Sequence, residues 1–180
     1  MRRCLLTKNV TIVYTDNMYK KINIKVGTNV EIGVELNITD MEGKFLTFKT
    51  ETQLFAIAIA DVVQIVGMQT ITEMPDSPHY VKGIINLRGS IISVIDFRLK
   101  LGKPEKEYNE RTCIIVTNID SKEIGLVVDE VDSVINIEDE NISEPPDKSA
   151  TTRDSYITGI AQTDKGIVLV MDAAKILSDK

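Results

Sequence analysis

Histidine is almost absent from this chain. It occurs once, and beside Pro78 and Tyr80 His79 reads as a surface residue, not as a catalytic base or metal ligand. The two cysteines, Cys4 and Cys113, lie far apart with no paired spacing, which argues against a zinc site or a disulfide framework. Cys113 sits in Thr112-Cys113-Ile114-Ile115-Val116 and reads as a small buried hydrophobe. The ten glycines are scattered, so no loop is built to cradle a phosphate, and no GxSxG or HExxH occurs. No uncharged apolar run approaches the roughly 18 residues of a membrane span. After MRRCLL the chain turns polar at Thr7-Lys8-Asn9, leaving no core for a signal peptide. These deficits point to a cytoplasmic binding protein without cofactor or metal, and away from an enzyme.

What is present is ordinary for a globular protein: 43% hydrophobic and 27% charged residues. Net charge is −6, unevenly spread. Residues 1–25 carry Arg2, Arg3, Lys8, Lys20, Lys21 and Lys25 against Asp16 alone, so the rest of the chain is strongly acidic. An acidic body lacks the basic face that a nucleic-acid partner requires.

Residues 1–43 form an N-terminal extension of unassigned order, with strand-like TIVY, INIKV and VEIGVEL broken by Asp16, Asn17, Gly27 and Asn29. From Lys44 the β pattern strengthens. FLTFKT and QLFAIAI read as a hairpin around Glu51-Thr52. ADVVQIV reads as a helical turn, with Val62 and Ile65 on one face, leading into a strand VGMQTITEM. Ser77-Pro78 predicts a short helix over 78–82. A strand pair follows across Arg88-Gly89, then a helix from Asp96 to Leu101. RTCIIVTNI, EIGLVVDEV and SVINI continue the strands; Glu138-Asp139-Glu140 is a solvated charge run.

The second half repeats the first. VKGIINLRGSIISVIDFRLKL (81–101) aligns without a gap to ITGIAQTDKGIVLVMDAAKIL (157–177), and FAIAIADVVQIV (55–66) matches IGLVVDEVDSVI (124–135) in pattern. The domain therefore spans 44–178, with repeat halves 44–105 and 106–178. Two compact barrels packed together satisfy so many short strands and remove exposed edges.

Features shared by both halves read as architecture. Gly83 and Gly159 mark a close backbone approach or a bulge. Asp96 and Asp172 open helices, where an N-cap is worth about 1 kcal/mol. Features in one half alone read as function. Where the second copy has Gln162-Thr163-Asp164-Lys165-Gly166, its Asp-Lys-Gly a plain turn, the first has Asn86-Leu87-Arg88-Gly89-Ser90, an amide and a guanidinium suited to a carboxylate or a carbonyl. Gly89 supplies the turn; Arg88 is either a presented contact or an exposed residue paired to its own barrel. Arg98, opposite Ala174 in the repeat, is explained by an amphipathic helix face.

The stretch VKGIINLRGSIISVIDFRLKLG, with FLTF, FAIAI, GLVVDEV and YITGIAQTDKGIVLVMDAAKIL, resembles the CheW family of bacterial chemotaxis adaptors. That family's signature runs close to hhxGhhNLRGxIhPhhDhR, where h is apolar; Ser93 stands here where proline is frequent. The resemblance covers Lys44 to Leu177. It implies an all-β fold with a few short helices, two five-stranded SH3-like β-barrels packed around a shared core. It implies a non-enzymatic scaffold coupling the cytoplasmic signalling tip of chemoreceptors to the regulatory domain of the histidine kinase CheA. Other CheW copies would join it in rings, at membrane-bound arrays but with no membrane insertion and no nucleic acid. Asn86, Leu87 and Arg88 would then face the receptor. Leu46, Ile59, Val62 and Ile65 occupy positions matching the lining of its groove, with plain core packing as the other reading. The reading from a different class is a small-molecule-binding double β-barrel of another signalling pathway, which predicts an unfilled cavity between the barrels.

Overall fold

The computed structural model describes residues 10–15, 19–26, 30–37, 41–119, 122–145 and 156–178. β1 (Val10–Thr15), β2 (Tyr19–Val26) and β3 (Val30–Asn37) make an antiparallel meander. The first repeat then supplies β4 (Lys44–Thr50), β5 (Gln53–Ala58), β6 (Val62–Gly67), β7 (Val81–Leu87), β8 (Ser90–Asp96) and α1 (Phe97–Lys100). The second supplies β9 (Cys113–Ile119), β10 (Lys122–Val128), β11 (Glu130–Asn136), β12 (Ile142–Ser143), β13 (Ile157–Thr163), β14 (Gly166–Met171) and α2 (Ala173–Ser178).

The two sheets do not follow the two repeats. One runs β6-β9-β10-β8-β7 and the other β11-β4-β5-β14-β13-β12. Each repeat thus lends its first hairpin to the sheet built by the rest of the other. The exchange is made through two parallel pairings, β8 with β10 and β5 with β14, in a matching register. Val94 lies opposite Gly125, and its repeat mate Val170 lies opposite Ala56, the mate of Gly125. The bulges match too. β6 slips between Val62 and Gln64, β11 between Val131 and Ser133, β7 between Val81 and Gly83, and β13 between Ile157 and Gly159.

Strand alternation then divides the apolar residues between two faces. Ile92, Val94, Ile114, Val116 and Val127 fill the inside of the first barrel; Leu54, Ala56, Ala161, Val168 and Val170 fill the second. The opposite faces meet as a shared core containing Leu46, Phe48, Phe55, Ile57, Ile95, Phe97, Ile115 and Leu126.

Three local expectations differ from the structure. No helix spans 78–82: the chain makes a turn there, with the Val81 N–H donating to the Pro78 carbonyl at 2.8 Å, and β7 follows at once. The strand expected at VGMQTITEM ends at Gly67, leaving only a bridge from Thr72 to Ile84. Val62 and Ile65 lie on a strand, not on a helical turn, and the bulge between them changes the strand's parity so that both still enter the shared core. The helix caps are as expected from the sequence. Asp96 Oδ1 accepts the Leu99 N–H at 3.1 Å, and Asp172 Oδ1 accepts that of Ala174 at 2.9 Å.

Candidate functional site

The β7–β8 hairpin turns on Arg88 and Gly89, at φ +54° and +95°. Positive φ at both central residues is the geometry of a type I′ turn, for which Asn-Gly is the favoured pair. An arginine in the left-handed region costs about 1–2 kcal/mol. Asn86 supports the turn, its Oδ1 accepting the Gly89 N–H at 2.9 Å. Gly89 is needed for its dihedral alone, because nothing lies within 4 Å of the place a Cβ would take. Arg88 is exposed and forms no ion pair among the described residues. A strained, unpartnered cation at a hairpin tip gains nothing for the fold. That is a reason to look for its use outside the fold.

The equivalent turn in the second barrel is held differently. Lys165 Nζ lies 2.6 Å from Asp132 Oδ2 and 2.8 Å from Ser133 Oγ on edge strand β11, curling that sheet onto itself.

The four apolar residues expected to line a groove do not reach the surface. Leu46, Ile59 and Val62 are fully buried and Ile65 is 9% exposed, all in the shared core. The recess next to them is made by other residues. Ile119, Ile124 and Leu126 from the β9–β10 hairpin, Ile95 of β8, and Ala173 and Ile176 of α2 line a small apolar recess of about 10 Å³, in which Ile95, Leu126, Ala173 and Ile176 are themselves buried and only Ile119 and Ile124 are partly exposed. Its origin lies in the repeat. Thr117 pairs with Ile124 as Phe48 pairs with Phe55, and Ala173 stands after Asp172 as Phe97 stands after Asp96. On one side three phenylalanines plug the space, Phe97 lying 5.4 Å from Phe48 and 4.9 Å from Phe55, edge-on. On the other side threonine, isoleucine and alanine fill it less completely and leave the small recess.

The recess leads to the arginine. On the face of β8 turned away from its barrel interior, the row runs from buried Ile95 through Ser93, which pairs with Ile124, to Ile91, which pairs with Asn86 and is 63% exposed. At the usual strand rise this row is roughly 13 Å long. Ile91, Ile119, Ile124, Ala173 and Ile176 escaped sequence reasoning. The signal for three of the recess positions was the aromatic-to-small difference between repeats.

A polar recess elsewhere is structural. Arg98, only 6% exposed, places Nη2 2.6 Å from Asp129 Oδ2 and Nη1 2.8 Å from Glu51 Oε1, while Lys103 Nζ reaches Glu51 Oε2 at 2.6 Å. This corrects the amphipathic-face explanation: Arg98 ties α1 to the β4–β5 turn and the β10–β11 junction. Burial raises the Asp129 carboxyl, but the guanidinium and the Glu51 N–H outweigh it and hold the group below its ordinary 3.8. A lowered folded pKa contributes stability that is complete above the unfolded value and disappears as pH falls through the folded one. Arg98→Met is expected to cost about 2 kcal/mol at pH 7, the partial exposure of Asp129 reducing the buried-pair penalty. The same variant should lose less stability than wild type between pH 5 and pH 3. Urea titrations at both pH values check this; equal acid losses would contradict it.

His79 is exposed, and burial pushes the Cys113 thiol up to about 12, so no thiolate nucleophile forms. Among the described residues no group of three or more His, Cys, Asp or Glu is gathered as for a metal, and no helix is long and apolar enough to cross a membrane.

Known proteins resemble this chain over most of its length. Residues 44–180 match the sequence profile of the CheW-like domain. The chain is 32% identical over 137 residues to the chemotaxis protein CheW of Klebsiella aerogenes, covering 76% of this chain and 82% of that one. It is 30% identical to CheW of Rhizobium meliloti, with 76% and 88% coverage. The crystal structure of the scaffolding protein TtCheW from Thermoanaerobacter tengcongensis superposes with a TM-score of 0.70 at 33% identity. It covers 77% of this chain and 94% of that one.

Proposed function

Because the chain belongs to the CheW-like domain family, whose members are chemotaxis scaffold proteins and not enzymes, we propose that it couples the cytoplasmic tip of a chemoreceptor to the regulatory domain of the histidine kinase CheA. The observation that carries this reading is Arg88, strained and exposed with no ion pair among the described residues, at the tip of a hairpin whose outer row carries exposed Ile91. An amphipathic receptor helix laid along this face would bury its apolar stripe against Ile91, Ile119 and Ile124 and bring its polar end to the arginine. Leu46, Ile59, Val62 and Ile65 support this face from beneath. Asn86 shapes the turn, and half-buried Leu87 anchors it to the barrel interior. The space between the sheets is packed with apolar side chains, which gives the small-molecule reading no chamber. Other copies of the chain would share the array as scaffold neighbours on the cytoplasmic face.

A titration of wild type and Arg88→Glu against a receptor signalling-tip fragment and the CheA regulatory domain tests this. Reversing the charge should weaken receptor binding by about 1–3 kcal/mol, with kinase-domain binding and thermal midpoint unchanged. A drop in midpoint as large as that of a core variant would make Arg88 structural instead. Failure of well-folded wild type to bind either fragment would remove the coupling role.

A further inference from the structure

Independently of the coupling role, we infer that the β1–β3 meander guards the β6 edge of the first barrel, where a second copy of this chain would otherwise pair. A strand at the end of a sheet offers its N–H and carbonyl groups to any other strand, and folded proteins blunt such edges with charge, proline, brevity, a bulge or a cover. The two sheets have four edges, β6 and β7 in one and β11 and β12 in the other. Three are managed locally. β7 carries Lys82 and is bridged by Thr72, which exchanges N–H and carbonyl with Ile84 at 2.8 and 2.9 Å. β11 carries Glu130 and Asp132, and Lys165 Nζ is held 2.6 Å from Asp132 Oδ2. β12 is two residues long.

β6 has no such device beyond a bulge at its start. Its sequence, Val62-Val63-Gln64-Ile65-Val66-Gly67, holds no charge and no proline. From Gln64 to Val66 it runs in regular register with β9, and no strand among the described residues pairs with its other side. A short β-branched run without charge or proline is the composition of strands that pair with copies of themselves. This is the edge against which β1 lies, with Cα atoms within 8 Å. β1 takes its ladder bonds from β2 alone, so it covers the edge without becoming a sixth strand of the sheet. The meander stands outside residues 44–180 that match the family, so the guard is an addition to the shared domain. Being tethered, it meets β6 at an effective concentration on the order of millimolar, ahead of a second copy. Charge favours the same seat, because residues 1–25 are basic and the rest of the chain is acidic.

The test breaks the guard in the full chain. Full-length wild type and the Thr11→Pro/Val13→Pro variant, in which β1 cannot keep its ladder, are compared by sedimentation velocity over a range of concentrations. Each is also made with Gln64→Lys, which adds a charge to β6. Breaking β1 should raise the apparent self-association constant at least about tenfold. Gln64→Lys should return it to within about twofold of wild type. Equal self-association of wild type and the proline variant overturns the inference, as does association that Gln64→Lys leaves unchanged. If the proline variant is insoluble, recovery of soluble protein on adding Gln64→Lys upholds the guard, and continued insolubility overturns it. No receptor or kinase fragment enters the measurement, so neither result bears on the coupling role.

Discussion

Gly83→Asp is expected to abolish folding of the domain. Gly83 sits at φ +136° within the β7 bulge, a conformation that side-chain-bearing residues rarely adopt. A Cβ built there would lie 2.1 Å from the Thr72 carbonyl oxygen and 2.8 Å from its carbon. Both are backbone atoms, held by reciprocal hydrogen bonds in which Thr72 and Ile84 exchange N–H and carbonyl at 2.8 and 2.9 Å. Nothing flexible can give way. Either that bridge is lost or the bulge is redrawn, and a carboxylate is added beside the barrel interior in both cases. The expected cost exceeds about 4 kcal/mol, at the diagnostic end of single-residue effects. Gly159 is the informative control, because its Cβ would meet the Cγ2 methyl of Ile142 at 2.2 Å, a side-chain atom and not backbone, and no positive φ adds strain. Gly159→Ala should cost less than Gly83→Ala. Circular dichroism melts of the two alanine variants, with soluble yield of Gly83→Asp, decide this; equal melts would mean that the bulges, not the Thr72 contact, set the requirement.

Phe97→Ala should be the most costly truncation of a core side chain. The ring is fully buried and packs edge-on against Phe48, Phe55 and Tyr156, with centroids 5.4, 4.9 and 6.1 Å away. It joins strands of one sheet to a helix that follows a strand of the other. Removing it leaves a cavity among aromatic groups that cannot collapse independently, and Phe→Ala losses in cores run about 3–5 kcal/mol. The midpoint of urea unfolding should fall by that amount with the slope unchanged. A loss under about 1 kcal/mol would show that the two sheets close over the gap. Because the recess already has Ala173 at the equivalent place, binding measured on the surviving folded fraction should not change.

Much of the candidate site was legible because it is local. A hairpin tip needs residues tolerant of positive φ, so Arg88-Gly89 stood out against the plain turn of the second repeat. The helix caps at Asp96 and Asp172 depend on hydrogen bonds spanning three residues and two. The groove was not legible in the same way. Alternation along β4 and β6 marks an apolar face but does not say whether that face meets solvent or a second sheet. The bulge at Val63 also shifts the parity from which a face would be inferred. Leu46, Ile59, Val62 and Ile65 therefore read as groove lining with core packing as the other reading, and in the structure they are buried in the shared core.

By itself the sequence determined that two similar β units share one chain, that their turns and caps fall where they do, and that one turn carries a guanidinium the other lacks. Only the tertiary structure decided that the units exchange hairpins, because matched registers let a strand pair with either copy and the chain pattern is identical in both cases. It also decided the fate of Arg98, whose partners Glu51 and Asp129 lie 47 and 31 positions away. The same is true of the recess. Three phenylalanines fill one side of the shared core while their smaller mates leave a small recess on the other, a difference of volume that acquires meaning only when the two faces are folded against each other.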